Sequence, residues 1–321
     1  MFAGIDLGGT KIAVTIADQD GRERGNARTS TEASRGPDAV IARIAGAVRE
    51  AAREAGIETS QLAGAGIAAP GPIDRDEGVV TDPPNLPGWH NVPLAKTLAA
   101  HLGTITTLEN DANCGALGEH AYGAGRGYRH MIYITASTGI GGGIIIDNQL
   151  YAGASGAAGE LGHIGVAADG PACGAGHIGC LESFSSGTAI ARRAQELINA
   201  GGLPRTARIA AQHPPLDAQD VHLAAQQGEA DAAAIIERAG RYFGIGLASI
   251  INAFNPQCIV IGGGLVHMGD AILGPAVEVA RTRSFAQSFD DVRIVEWELG
   301  ERGTALGALV VARNRHAFGR G

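Results

Sequence analysis

Several short stretches of the sequence combine glycine, carboxylate, hydroxyl, imidazole and thiol groups at spacings that suit chemistry. The first is Asp6-Leu7-Gly8-Gly9-Thr10-Lys11. Glycines let backbone N–H groups come close to an anion, and Thr10 adds a hydroxyl donor. A carboxylate at Asp6 would repel bare phosphate, so it suits such a site only with Mg²⁺ between them, directly or through water. An ordinary tight hairpin accounts for the same residues equally well. The second stretch is Ser137-Thr138-Gly139-Ile140-Gly141-Gly142-Gly143. A dinucleotide fingerprint opens a helix, whereas here the apolar run Ile144-Ile145-Ile146 follows at once. Two glycine hairpins in one chain suit a polyphosphate held from both sides. A third cluster, Gly262-Gly263-Gly264, follows a buried apolar run, where the carboxyl end of a strand usually meets a ligand. A plain strand-to-helix turn would look the same.

The fourth stretch is Glu109-Asn110-Asp111-Ala112-Asn113, at a strand-to-helix junction. A carboxylate there can take the proton of a substrate hydroxyl as it attacks phosphorus. Asn110 can donate to and accept from neighbouring hydroxyls. The competing role for Asp111 is to cap the helix, a common duty for Asp at such a position. The fifth stretch is Glu160-Leu161-Gly162-His163, followed by Cys173 to Glu182 with His177 and Cys180 between. Imidazoles and thiols this close suit a structural zinc ion; two unrelated thiols in a loop are the plainer alternative.

These groups need elements to hold them. Residues 2–7 and 12–17 are predicted strands joined by the first glycine turn. Val40, Ile41, Ile44 and Val48 recur at helical spacing in 38–55, with Pro37 at the start. Further strands are expected at 64–71, 105–110, 131–136, 143–148, 258–264 and 292–297, and helices from 111 onward, at 187–200 and at 230–252. Each half opens with a glycine-turned hairpin and continues as α/β structure. A duplicated α/β fold with a cleft between two lobes follows from that repetition.

Composition narrows the function classes. The 321 residues are 45% apolar and 18% charged, enough for ordinary globular cores. A net charge of −8 disfavours gripping a nucleic-acid backbone, and no basic run or membrane-length apolar run appears. The N-terminus lacks a basic, signal-like start, so a cytoplasmic location is expected, with neither nucleic acid nor membrane as partner. Four scattered cysteines do not make a disulfide framework.

Taken together, the motifs resemble the ROK family (repressors, open reading frames and kinases), sugar kinases of the actin-like ATPase superfamily. The resemblance runs through DLGGTKIA (6–13), GIAAPGPID (66–74), LENDAN (108–113), STGIGGGII (137–145), GELGH (159–163) with the cysteine segment to 182, and VIGGG (260–264). It implies a duplicated actin-like, ribonuclease H-like α/β fold. The expected lobes are 1–115, completed by a C-terminal helix at about 305–321, and 116–304. It also implies that Gly8, Gly9, Thr10 and Lys11 form the first phosphate loop, with Asp6 on the magnesium side. Thr138, Gly139 and Gly141 match the second phosphate loop, and Gly262, Gly263 and Gly264 the segment near adenosine. Asp111 matches the base that activates the sugar hydroxyl. Asn110, Glu160, His163 and Glu182 match residues that hold sugar hydroxyls, with Pro70, Gly71 and Asn85 on the same side. ATP, Mg²⁺ and a structural Zn²⁺ are the implied cofactors, and a dimer or tetramer the implied assembly.

One departure matters. The family's zinc segment has a cysteine where this chain has Ala175, leaving His163, Cys173 and Cys180. Alanine cannot ligate. Three outcomes stay open: His177 enters as fourth ligand, water fills the gap, or zinc binds weakly or not at all. For the substrate, Pro84-Asn85-Leu86-Pro87-Gly88-Trp89 looks most like bacterial glucokinases. Glucose is the first choice; N-acetylglucosamine, N-acetylmannosamine, mannose and fructose stay open, as does polyphosphate in place of ATP. The family also contains sugar-responsive repressors, which carry a DNA-binding domain ahead of the kinase-like part. Here the first phosphate strand begins at residue 2, so a kinase is expected.

Overall fold

The computed structural model describes residues 1–318. Its strands are β1 (Phe2–Leu7), β2 (Lys11–Ala17), β3 (Glu23–Ser30), β4 (Gly64–Ala69), β5 (Ile73–Asp74), β6 (Val79–Val80), β7 (Thr106–Asn110), β8 (Met131–Ala136), β9 (Ile140–Ile146), β10 (Gln149–Leu150), β11 (Cys258–Gly262) and β12 (Arg293–Glu296). The helices are α1 (Pro37–Glu54), α2 (Leu94–Leu102), α3 (Asp111–Tyr122), α4 (Leu181–Ser185), α5 (Gly187–Asn199), α6 (Pro204–Ala210), α7 (Ala218–Gln226), α8 (Ala230–Phe254), α9 (Asp270–Arg283), α10 (Ala286–Asp291) and α11 (Gly303–Phe318). Two five-stranded sheets run in the orders β3-β2-β1-β4-β7 and β10-β9-β8-β11-β12. In the first, β1 pairs antiparallel with β2 and parallel with β4. In the second, β9 pairs antiparallel with β10, and β8 pairs parallel with β11. The repeated plan is the duplicated α/β architecture expected from the sequence.

The chain forms two compact units. Unit 1 is Met1–Arg129, Gly143–Gly159 and Trp297–Gly321; unit 2 is His130–Gly142 and Glu160–Glu296. The division therefore does not fall at residue 115. Helix α3 packs along α11 and stays with the first sheet, so unit 1 continues past it. The C-terminal helix runs Gly303–Phe318, and its expected extension to 321 lies outside the described residues.

Unit 1 is a three-layer sandwich. One face of its sheet carries α1, whose Val40, Ile41, Ile44 and Val48 are buried against Ile5, Leu7, Ile12, Val14 and Ile67. Burial of such side chains contributes roughly 1.5–3 kcal/mol each. The other face receives α11 at unusually close range. A Cβ at Gly4 or Gly66 would run into the carbonyl oxygen of Ala305 or Ala308, so only glycine fits at either position. Glu119, almost fully buried on α3, closes the unit at its other end. Its Oε2 accepts the backbone N–H groups of Ala124 (2.9 Å) and Glu298 (3.1 Å), and its Oε1 that of Leu299 (2.9 Å).

In unit 2, α8 is the spine, packing on α4, α5, α7 and α9. The strand expected at 143–148 is instead β9, Ile140–Ile146, so Gly141 and Gly142 join Gly143 within the strand rather than lying in the turn. Close neighbours explain the glycines: a Cβ at Gly143 would stand 2.6 Å from that of Ala116.

Candidate active site

Unit 1 holds Asp6, the first glycine turn, Pro70, Gly71, Asn85, Asn110 and Asp111; Thr138, Gly139, Gly141, Glu160, His163 and Glu182 belong to unit 2. The β1–β2 turn is closed by the Gly8 N–H donating to the Lys11 carbonyl at 2.9 Å, and Thr31 Oγ1 donates to the Gly8 carbonyl at 2.7 Å. Asn85 packs directly over Gly9, where a Cβ would lie 3.1 Å from the Asn85 carbonyl oxygen. Thr10 and Lys11 are exposed at the turn. Lys11 Nζ meets Glu301 at 2.9 Å, and Arg28 meets the same carboxylate at 3.6 Å. Hydrogen bonding to Lys11, then its charge, holds the Glu301 carboxyl below the usual range.

Asp6 is the penultimate residue of β1, beside this turn. Desolvation pushes its pKa up to about 7, the Asp111 carboxylate adds to the rise, and Lys11 opposes it. Some of its surface still meets solvent, but protein rings the carboxyl closely enough for desolvation to dominate. A carboxylate held near half-protonation by such surroundings gains from a neighbouring cation, which fits the magnesium-side role.

The β7–α3 junction separates two duties that the sequence left together. The helix cap is Asn110, whose Oδ1 accepts the N–H groups of Ala112 (2.9 Å) and Asn113 (3.2 Å). Asp111 is the first residue of α3, and its Oδ1 accepts the Ala112 N–H at 2.8 Å. The Asn110 amide nitrogen lies beside Gly71, 3.5 Å from where a Cβ would stand, which brings the Pro70-Gly71 turn to the same place. Parallel pairing of β1, β4 and β7 explains the convergence: Asp6 is in register with Ala68, and Ala69 with Asn110, so the three strands end together.

Unit 2 holds the second glycine turn. Ser137 N–H donates to the Gly139 carbonyl at 2.9 Å. Helix α5 begins against this turn: Gly187 N–H reaches the Ser137 carbonyl at 2.7 Å, and Thr188 Oγ1 the Thr138 carbonyl at 2.8 Å. Glu182 Oε2 accepts the Ile140 N–H at 3.0 Å and lies 2.6 Å from where a Cβ at Gly139 would stand. The Glu182 carboxylate thus braces the glycine turn. A cavity of about 550 Å³ opens beside the turn, large enough for a nucleoside. Ser137, Thr138 and Gly264 line it. Gly262 and Gly263 lead from β11 into it, and Gly263 takes φ +89° against the Ala136 carbonyl. Thr188, Asp217, His222 and His267 also line the cavity, and sequence reasoning missed them. Asp217 carried a usable signal, since Asp217 and Asp220 cap α7 reciprocally.

The fifth motif folds into a four-ligand cluster. His163, Cys173, His177 and Cys180 bring one ligand atom each to within 4.8 Å of one another. Cys173 N–H donates to the His177 carbonyl at 2.8 Å, a tight turn that sets these two side chains together. The Gly165–Cys180 bridge carries Cys180 alongside His163. His163 Nδ1 is 3.5 Å from Cys173 Sγ, and Glu160 lies 3.9 Å from the other ring nitrogen. Of the three outcomes left open by Ala175, the geometry matches the first, with His177 completing a Cys₂His₂ set suited to zinc.

The ROK family model matches residues 2–315. The glucokinase of Thermotoga maritima is 36% identical over 312 residues, 97% of each chain. A ROK hexokinase from Thermus thermophilus superposes with a TM-score of 0.85 at 34% identity, covering 100% of this chain and 99% of that one. A ROK family glucokinase from Streptomyces griseus, solved in complex with glucose and AMPPNP, gives a TM-score of 0.80 at 33% identity, covering 98% and 99%.

Proposed function

Because the chain belongs to the ROK family, we propose that it transfers the terminal phosphoryl group of ATP to a hexose, with glucose, giving glucose 6-phosphate, as first choice. The observation that carries this is the placement of Asp111 as the first residue of α3, with capping assigned to Asn110 and with the Asp111 carboxylate close enough to Asp6 to help raise the Asp6 pKa.

Asp111 accepts the proton of the sugar hydroxyl as that oxygen attacks phosphorus, a contribution of about 10²–10⁴ in rate. The N–H groups and hydroxyl of the 8–10 turn and of the 137–139 turn orient the phosphates, and Lys11 supplies a positive charge near them. When bound, a divalent cation supplies charge neutralisation at the phosphates; Asp6 is the carboxylate that would hold it, directly or through water. Zinc, held by His163, Cys173, His177 and Cys180, would fix the segment carrying Glu182. Asn110, Glu160, His163 and Glu182 are the side chains assigned to the sugar hydroxyls, with Pro70, Gly71 and Asn85 on the same side. N-acetylglucosamine, N-acetylmannosamine, mannose and fructose are the alternatives, since a few pocket contacts decide among them. A cytoplasmic, homo-oligomeric enzyme is the accompanying expectation.

The test is ADP release with Mg·ATP against a panel of these five sugars, alongside Asp111→Asn. Turnover with one sugar, lost in the variant, supports the assignment. No turnover with any sugar, from folded protein that still binds ATP, rejects it.

A further inference from the structure

Glu109 is a carboxylate with 1% of its surface exposed, next to the candidate base, and the phosphoryl-transfer chemistry leaves it without a role. Its oxygens are fully engaged. Oε1 accepts the Asn110 backbone N–H at 3.0 Å and the Asn113 Nδ2–H at 3.0 Å. Oε2 meets Arg75 Nη2 at 2.9 Å. The same carboxylate therefore holds the residues immediately before and two after Asp111. A buried ion pair is a weak source of stability, because desolvation offsets most of the attraction. What such a pair does well is fix geometry, since the guanidinium is planar and its donors point in set directions.

Arg75 is itself held in place. Asp74 Oδ1 accepts the N–H groups of Asp76 (3.1 Å) and Glu77 (3.0 Å), a tight turn that presents Arg75. The arginine's stem lies against Gly156: a Cβ there would be 3.3 Å from Arg75 Cδ. Arg75 also lines a cavity of about 330 Å³ bounded by residues 73–76 and 152–156. One side chain thus touches both the 152–156 loop, just ahead of Glu160, and the carboxylate that holds Asn110.

We propose that Arg75 is a positioning residue for the phosphoryl acceptor. Through Glu109 it sets Asn110 and Asp111, and through its contact with Gly156 it ties that setting to the 152–156 loop. Hexose affinity and base orientation then depend on Arg75, while nucleotide affinity does not. The inference rests on the kinase function proposed above.

The test compares wild type, Arg75→Lys, Arg75→Met and the double variant Arg75→Met/Glu109→Gln. Kinetics are measured for the hexose and for Mg·ATP, with melting temperatures alongside. Arg75→Met is expected to lose about tenfold to hundredfold in kcat/KM for the hexose, as a displaced catalytic group does. Its KM for Mg·ATP should stay within about twofold, and Arg75→Lys should recover part of the loss. The double variant removes both charges and keeps an acceptor oxygen for the Asn110 N–H. It covers the case in which Arg75→Met alone fails to fold, and it should remain impaired toward the hexose only. Wild-type hexose kinetics in either variant, even with a lowered melting temperature, would mean that the pair is structural and overturn the inference. Equal loss toward hexose and Mg·ATP would overturn it too. A wild type inactive on every hexose rejects the kinase function and this inference together; an active wild type with unaffected variants rejects this inference alone.

Discussion

His177 stands edge-on to His163, with ring centroids 5.3 Å apart and planes at 86°, so that an imidazole completes the cluster that Ala175 leaves one thiolate short. The expected consequence is zinc binding by two thiolates and two imidazoles. Purified protein should contain about one zinc ion per chain. His177→Ala should lower that content, and adding Ala175→Cys should restore it. Cobalt substitution supplies an independent measure: absorption typical of two thiolates in a tetrahedral site is expected, and a spectrum without thiolate bands would count against this ligand set.

Asp111→Asn keeps the size of the side chain and an oxygen that can accept the Ala112 N–H. The cap, which belongs to Asn110, stays in place. The fold and ADP affinity should therefore persist while kcat falls by about 10²–10⁴. A variant that retains more than about a tenth of wild-type kcat would remove Asp111 from the role of base.

Asp6 carries a measurable cost in the nucleotide-free protein. Its pKa in the folded state is about 7, above the ordinary 3.8. The folded chain therefore holds this proton more tightly than the unfolded chain does. Stability from this group is complete below about pH 4 and declines as the pH rises to about 7. Asp6→Asn should thus raise the melting temperature at pH 8 and change it little at pH 4, while weakening Mg·ATP turnover. An equal shift at both pH values would show that the gain has another origin.

Glu119→Ala would strip three backbone N–H groups of their acceptor at once. A loss of roughly 2–4 kcal/mol is expected, seen as a lower urea midpoint of the transition that reports unit 1. Glu119→Gln, which keeps one acceptor oxygen, should lose less. Equal losses in the two variants would indicate that packing, rather than hydrogen bonding, sets the cost.

The sequence disclosed the elements whose pattern is strong. Strands β4 and β11 are continuous apolar runs, and β1 and β8 nearly so, because central strands buried along almost their whole length leave little room for polar residues. Helix α1 announced itself by spacing and by Pro37. Strand β3, ERGNARTS, was missed because the positions it turns inward are Gly25 and Ala27, too small to register as apolar alternation. Helix α9 was missed because Gly274-Pro275 reads as a helix break, whereas the helix runs through Pro275. The glycine motifs and the Glu109–Asn113 junction were legible because their chemistry lies in consecutive residues. Thr188, His222 and His267 were not, since only folding brings them to one cavity wall. The bracing of the second glycine turn by Glu182 was likewise hidden, as the two are 42 residues apart from Ile140 to Glu182.

Unit 1 is assembled from three separate lengths of chain, and its central strands are shaped for a helix that ends the described sequence. On a ribosome this fixes an order of events. When β1, β2, β4 and β7 have emerged, the face containing Gly4 and Gly66 still lacks α11, which is made almost two hundred residues later, after roughly 10–40 s of synthesis at about 5–20 residues per second. Most of unit 2, by contrast, is the single stretch Glu160–Glu296 and can fold while translation continues. For the whole of that interval the first sheet presents one face without its covering helix, so a nascent chain stalled before Gly303 should be trapped by chaperones through its oldest part rather than its newest.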